Sequence, residues 1–283
     1  AAYKRQKKKK VFFRPLSAIP LYKHRYKKDN TICFYGFRIP YKSKKDILPT
    51  GSVQGQIVFN GRKILVHQVV KAKAVKLSPA IDYIGADLGV KNILTDSDGN
   101  IFTGKEVNGL RCRYKKMRAK LQSVGTKSAK RLLKKRSGRE SRFARNVNHV
   151  ISKNVVNRAK DTGRGIALED LRNIRAGIKV RKSQRGLLHS WSFGQLRFFI
   201  QYKAQQAGVS VVIVNPRNTS RTCPNCGCVD KCNRKTQAIF KCIQCGFAGH
   251  ADNIAAENIR RAAWNQPDAA SYDSRKCTGL LSA

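Results

Sequence analysis

The sequence predicts an α/β fold in which buried strands alternate with amphipathic helices, preceded by a small antiparallel β-unit and interrupted near its end by a cysteine module. Three observations predict it. Residues 81–89 (IDYIGADLG), 165–168 (GIAL) and 209–214 (VSVVIV) are short, largely apolar runs of the kind that fills a sheet covered on both faces. Stretches with helical apolar spacing lie between them. Two Cys-x-x-Cys pairs, Cys223/Cys226 and Cys242/Cys245, follow the third run, with fifteen residues between the pairs.

Charge bounds what such a chain binds. The 283 residues hold 59 Lys+Arg against 16 Asp+Glu, a net charge of +43. A surface this basic repels itself unless a polyanion neutralises it. No apolar run is long enough to span a bilayer, and no signal-peptide pattern is present. Nucleic acid is therefore the expected partner, because phosphate neutralisation releases counterions. Six of the nine cysteines fall between Cys223 and Cys245. Without a secretory signal, that clustering points to a metal in a reducing, cytoplasmic setting and not to a disulfide framework. The chain opens Ala-Ala, as expected of a processed, truncated or incomplete copy.

In chain order, residues 1–28 carry eleven Lys/Arg and no acid, and are read as a basic segment (1–30). Residues 31–39 are strand-like. Residues 53–59 and 64–70 are β-rich and meet across Asn60-Gly61, a hairpin signal. Residues 31–80 thus form the antiparallel β-unit. The strand 81–89 is followed by a hairpin turning at Ser97-Asp98-Gly99-Asn100. Residues 106–160 are read as two long helices with basic outer faces. Residues 111–145 alone hold fifteen Lys/Arg and one acid, Glu140. This one-sign face is expected to track a nucleic-acid backbone, with Arg142, Arg145 and Lys153 as candidate contacts. After the strand at 165–168 come a Gly/Lys/Arg-rich loop (172–188), an amphipathic helix (191–206) and the strand 209–214. The cysteine module spans 221–246. A last helix follows within 247–265, and 266–283 read as a tail. Tyr22, Tyr26, Phe34 and Tyr35 are candidates either for stacking on bases or for the core.

Four thiolates in two knuckles, each followed by a turn-permitting glycine (Gly227, Gly246), match tetrahedral structural zinc. Cys228 and Cys232 are nearby competitors, while Cys33, Cys112 and Cys277 read as packing or loop residues. A closed four-thiolate site leaves no position for substrate. Chemistry must then come from carboxylates. Asp87, Glu169 and Asp252 stand where a strand ends or a helix begins, places where an acid is costly unless paired, hydrated or metal-bound. Converging carboxylates could hold two divalent ions, with magnesium or manganese suiting hard oxygen ligands. Asp252 reads equally well as a helix cap, and Asp82 and Asp170 compete in sequence with the other two.

Residues 84–90 (IGADLGV), 166–171 (IALEDL) and 250–259 (HADNIAAENI), in this order, resemble the three nuclease motifs of the TnpB-type transposon-encoded RNA-guided nucleases and their relatives, the compact type V CRISPR effectors. Residues 218–227 (NTSRTCPNCG) and 241–246 (KCIQCG) resemble the zinc ribbon of that family. The resemblance covers about residues 31–265. It implies an RNase H-like (RuvC) nuclease core over 81–220 and 247–265, with inserted basic helices (106–160), a zinc ribbon and a preceding wedge-type, β-barrel-like unit. It also selects Asp87, Glu169 and Asp252 as the catalytic, magnesium-binding acids. One departure is visible. The family carries Asn two residues after the third acid, where Ile254 stands here, with Asn253 one position early.

The resemblance implies a guide RNA and a target DNA as partners, and an RNA-guided DNA endonuclease as the activity. The front of the family pattern is shortened, which implies reduced target recognition, a second polypeptide or oligomer, or an incomplete copy. Two other readings stand beside it: a cleavage-deficient RNA-guided DNA-binding protein, and a structural zinc-ribbon RNA-binding protein.

Overall fold

The computed structural model describes residues 18–21, 25–26, 31–34, 36–42, 55–59, 63–69, 75–172, 186 and 191–264. The chain divides into two compact units, Ala1–Lys73 and Ala74–Ala283.

Among its described residues the first unit holds two three-stranded antiparallel sheets. Its strands are β1 (Ala18–Leu21), β2 (Arg25–Tyr26), β3 (Thr31–Phe34), β4 (Phe37–Pro40), β5 (Gly55–Phe59) and β6 (Ile64–Gln68). They pair in the orders β1-β5-β6 and β2-β3-β4. Phe59 pairs with Ile64, so β5 and β6 approach where Asn-Gly signals a turn, although residues 60–62 lie outside the described residues. The strand-like run 31–39 is two strands rather than one. Gly36, at φ +83°, lets the chain reverse between Phe34 and Phe37, which pair directly. The candidate stacking side chains Tyr22, Tyr26, Phe34 and Tyr35, most of the basic segment 1–30, most of the loop 172–188 and the tail 266–283 lie outside what the structure describes.

The second unit is built on a five-stranded mixed sheet. It comprises β7 (Tyr83–Asp87), β8 (Asn92–Asp96), β9 (Ile101–Thr103), β10 (Gly165–Glu169) and β11 (Val211–Val214), in the order β11-β10-β7-β8-β9. β10 lies parallel to both β7 and β11, and β7, β8 and β9 form an antiparallel meander. Among the described residues its longer helices are α1 (Lys105–Val124), α2 (Lys127–Arg136), α3 (Arg139–Asp161), α4 (Phe193–Ala207) and α5 (Ala251–Trp264).

The basic insert is three helices, not the two expected. Gly125 ends α1 in the left-handed conformation, and the Thr126 hydroxyl accepts from the Ala129 N–H to start α2. Gly138, also left-handed, separates α2 from α3. α2 buries only Ala129, so the apolar spacing that marks the other two helices does not mark it.

The sheet is covered on both faces, and strand alternation assigns residues to each. Ile84, Ala86, Ile166 and Leu168 pack with Ile151, Val155, Leu196 and Ile200 from α3 and α4. Ala167, Val212 and Val214 pack with Ile259 and Ala263 of α5 on the other face. Gly85 decides how close α5 comes. A Cβ there would lie 2.0 Å from the Ala256 carbonyl oxygen and 2.6 Å from the Arg260 nitrogen.

Candidate functional site

Asp87 and Glu169 are the last residues of β7 and β10. The register pairs Ala167 with Gly85 and Leu168 with Ala86. One step further along these parallel strands stand Glu169 and Asp87. Period-two alternation puts both on the face of Gly85 and Ala167, which α5 covers. Asp252 lies in the first turn of α5, so the closeness that Gly85 permits brings the third carboxylate to the same strand ends. Open α/β sheets bind ligands at the carboxyl ends of their strands.

The electrostatics agree. Burial, followed by the charges of Glu169 and Asp252, raises Asp87 to about 7. Burial also raises Glu169, opposed by a hydrogen bond from the Thr219 hydroxyl and by the Arg234 charge. Asp252 Oδ2 accepts from Asn92 Nδ2 at 2.9 Å, and its Oδ1 lies 3.6 Å from the Arg234 guanidinium. The sequence competitors are engaged elsewhere. Asp170 is ion-paired to Arg172 and Arg197, which hold it well below the usual carboxylate range, the Arg172 hydrogen bond contributing most. Asp82, at the other end of β7, pairs with Arg260 at 2.8 Å.

Arg234 is the residue that sequence reasoning misses. It sits between the two cysteine pairs, and its charge acts on Asp87, Glu169 and Asp252 alike. One arginine among 59 cationic residues carries no sequence signal; only the fold of the module over the strand ends selects it. Its neighbour Asn233 is fully buried. The Asn233 amide donates to the carbonyls of Arg221 (2.9 Å) and Cys228 (3.1 Å), and its oxygen accepts from the Ile243 N–H (2.9 Å). Asn233 thereby pins one knuckle to the other and fixes where Arg234 begins.

Among the described residues, Cys223, Cys226, Cys242 and Cys245 form a group whose donor atoms all lie within 4.8 Å of one another, a group that could hold a metal ion. The Cys223–Cys245 and Cys226–Cys242 sulfurs are 3.7 and 3.5 Å apart. A tetrahedron with metal–sulfur bonds of about 2.3 Å has edges of about 3.8 Å, so the donor set fits. Gly227 and Gly246 take φ +76° and +74° and donate back to the carbonyls of Cys223 and Cys242. Cys228 packs against the module's core and Cys232 is exposed; neither joins the four-sulfur group. The three acids are not drawn into so tight a group.

The candidate nucleic-acid contacts lie on α3. Arg142, Arg145 and Lys153 are exposed. Eleven residues separate Arg142 from Lys153, three turns that return to the same face. Arg145 borders a cleft also lined by Arg111, Arg118, Ser141 and Gln195. The structure brings the three acids together, and it sets these three cations apart from them on the insert.

The fold of this chain is similar to that of two solved proteins. The chain superposes on the protein of a solved CRISPR–Cas12f ternary complex with a TM-score of 0.50, covering 86% of this chain and 58% of that one at 18% identity. A solved mini RNA-guided endonuclease, CRISPR-Cas phi3, gives 0.51 over 76% of this chain and 52% of that one, at 14% identity.

Sequence comparison narrows the class. Residues 193–259 match the family model of the Cas12f1-like TNB domain. The chain is 36% identical over 185 residues to a TnpB-like protein of Methanocaldococcus jannaschii, covering 61% of this chain and 66% of that protein. It is 42% identical over 118 residues to the CRISPR-associated endodeoxyribonuclease Cas12f1 of Sulfoacidibacillus thermotolerans, covering 41% of this chain and 26% of that protein. These matches place the chain among the relatives of the TnpB-like proteins and compact type V effectors. It spans just under two thirds of the first relative's length and about a quarter of the second's.

Proposed function

We propose that this chain is an RNA-guided DNA endonuclease that cleaves phosphodiester bonds at Asp87, Glu169 and Asp252. The observation that carries the reading is the convergence of these three carboxylates, with Asp87 raised to about 7 by burial and by the charges of its two neighbours. Acids gathered at such a cost are suited to hold cations. Converging carboxylates of this kind suit two divalent ions about 3.5–4 Å apart. Magnesium or manganese, bound by these oxygens, would supply Lewis-acid stabilisation of the attacking and leaving oxygens. Asn92 orients Asp252 toward the site, and Thr219 orients Glu169. Arg234, on the module above the acids, is placed to hold a phosphate oxygen of the strand and to release the carboxylates as it does so.

The four cysteines hold zinc in this reading, and the zinc shapes the module that carries Arg234. Guide RNA and target DNA are the partners, with sequence specificity supplied by base pairing and the protein gripping the duplex by charge. The exposed Arg142, Arg145 and Lys153 belong to that grip. No helix among the described residues is long and apolar enough to cross a membrane.

The test uses the purified chain with the RNA that copurifies from its native locus. End-labelled DNA matching the variable end of that RNA is cut in the presence of Mg²⁺ and spared in EDTA. Asp87→Ala lowers cutting at least about a thousandfold while RNA binding persists. Equal cutting by Asp87→Ala would overturn the assignment.

A further inference from the structure

The acid site is tied to the root of the cysteine module by a buried chain of hydrogen bonds that begins on α5. Asn258 is 7% exposed. Its single side-chain amide donates to two backbone carbonyls, Thr219 at 2.7 Å and Thr222 at 2.8 Å. Those carbonyls bracket the turn that leads into Cys223. The Thr219 hydroxyl, itself buried, then donates to Glu169 Oε1. A second acceptor, the Pro216 carbonyl, lies farther away at 3.2 Å. The hydroxyl has one proton to give, and the shorter contact takes it.

We propose that Thr219 is a positioning residue for Glu169, held in place by Asn258. The inference rests on the acid site proposed above. A glutamate has three side-chain torsions, and at the end of a strand nothing in the backbone fixes the last two. A hydroxyl bonded to Oε1 selects one carboxylate orientation and leaves Oε2 to face the site. Asn258 keeps that hydroxyl from drifting by clamping the backbone on both sides of its turn. Because α5 also carries Asp252, one helix sets two of the three acids, Asp252 directly and Glu169 through Asn258 and Thr219. Because Thr222 adjoins Cys223, the first module sulfur and the Glu169 carboxylate share a single anchored turn. Loss of a hydrogen bond that orients a metal-binding side chain typically weakens metal affinity about 10- to 100-fold.

The experiment measures Mn²⁺ binding by electron paramagnetic resonance in the full chain without nucleic acid, in the unmodified protein and in Thr219→Val, Thr219→Ala, Thr219→Ser and Glu169→Ala. Co²⁺ substituted at the four cysteines reports by its thiolate absorption that the module is folded in each. The expected result is an affinity about tenfold or more weaker in Thr219→Val and Thr219→Ala, restored in Thr219→Ser, with the Co²⁺ band unchanged. The alanine variant keeps the test valid should the valine methyl disturb the turn. If Glu169→Ala loses Mn²⁺ and neither Thr219→Val nor Thr219→Ala weakens it, the positioning role falls and the acid site stands. If Glu169→Ala binds Mn²⁺ as well as the unmodified chain, the acid-site reading falls, and this role with it.

Discussion

Asp87 and Glu169 end neighbouring parallel strands one step beyond the registered pair Ala86–Leu168, on the sheet face that α5 covers. Adjacent strands are about 4.8 Å apart, so two acids are held side by side in a setting that disfavours their charge. That juxtaposition leads to the first prediction. Asp87 is raised to about 7 from an ordinary 3.8, by burial first and by Glu169 and Asp252 next. The folded chain therefore holds a proton between these values that the unfolded chain releases. Metal-free stability falls as pH rises through that window and stays low above it. The rise corresponds to about 4 kcal/mol. Asp87→Asn removes the penalty, so its metal-free melting temperature at pH 8 exceeds the parent's by about 5 °C or more. The gap narrows toward pH 4. Calorimetry in EDTA across that range checks it; a gap constant with pH refutes the assignment of the charge to Asp87.

Arg234 is predicted to matter to cutting and little to folding. It is about a quarter exposed and 3.6 Å from Asp252, too loose a pair to hold the fold together. Arg234→Ala lowers cleavage about a hundredfold, as loss of one stabilising group in an active site commonly does. Arg234→Lys recovers part of that loss, because a point charge replaces a fork. Single-turnover cleavage and thermal melting, run together, separate the two effects.

Gly85→Ala is predicted to be disruptive. Its methyl would meet the Ala256 carbonyl oxygen at 2.0 Å and the Arg260 nitrogen at 2.6 Å. Neither is a flexible side-chain end, so α5 must move away from β7. We expect a loss of about 3 kcal/mol in urea unfolding. Divalent-ion affinity falls with it, because Asp252 travels with α5.

Removal of the metal proposed for the four cysteines is predicted to act at a distance. Chelation, or Cys226→Ser, frees the two knuckles, which Asn233 and the sulfurs hold together. Proteolysis then cuts within 221–246, and cleavage is lost because Arg234 no longer has a fixed base. Asn233→Ala produces a milder version. It removes two donors and one acceptor from a fully buried site, at a cost of about 3 kcal/mol. Limited proteolysis with and without chelator reads both.

The α3 face is predicted to bind by charge alone. Replacing Arg142, Arg145 and Lys153 together by alanine weakens RNA or duplex binding uniformly across sequences. It also reduces the slope of log affinity against log salt by about two to three. A change confined to one sequence would show that these side chains read bases instead.

Much of this protein is legible in its residue order. Apolar runs mark β7, β10 and β11 because strands covered on both faces must be apolar on both. The Cys-x-x-Cys spacing marks the four-sulfur group because a short turn alone brings each pair together. The insert is less legible. Its charge density conceals the break at Gly138, so three helices read as two. The strand-like run 31–39 likewise conceals a reversal at Gly36.

What residue order alone determines, then, are the local features: strands, knuckles, a basic surface, and three acids at element ends. Tertiary structure decides how these meet. Strand alternation turns Asp87 and Glu169 to one face, Gly85 admits α5 close enough to add Asp252, the turn before the module brings Thr219 to Glu169, and the folded module delivers Arg234 from a position that carries no signal of its own. The physical reason is range. Turn and strand preferences act over a few residues, whereas the electrostatics of the acid site depend on contacts between residues as far apart as Asn92 and Asp252. Only the packed sheet and helix bring such residues within hydrogen-bonding distance.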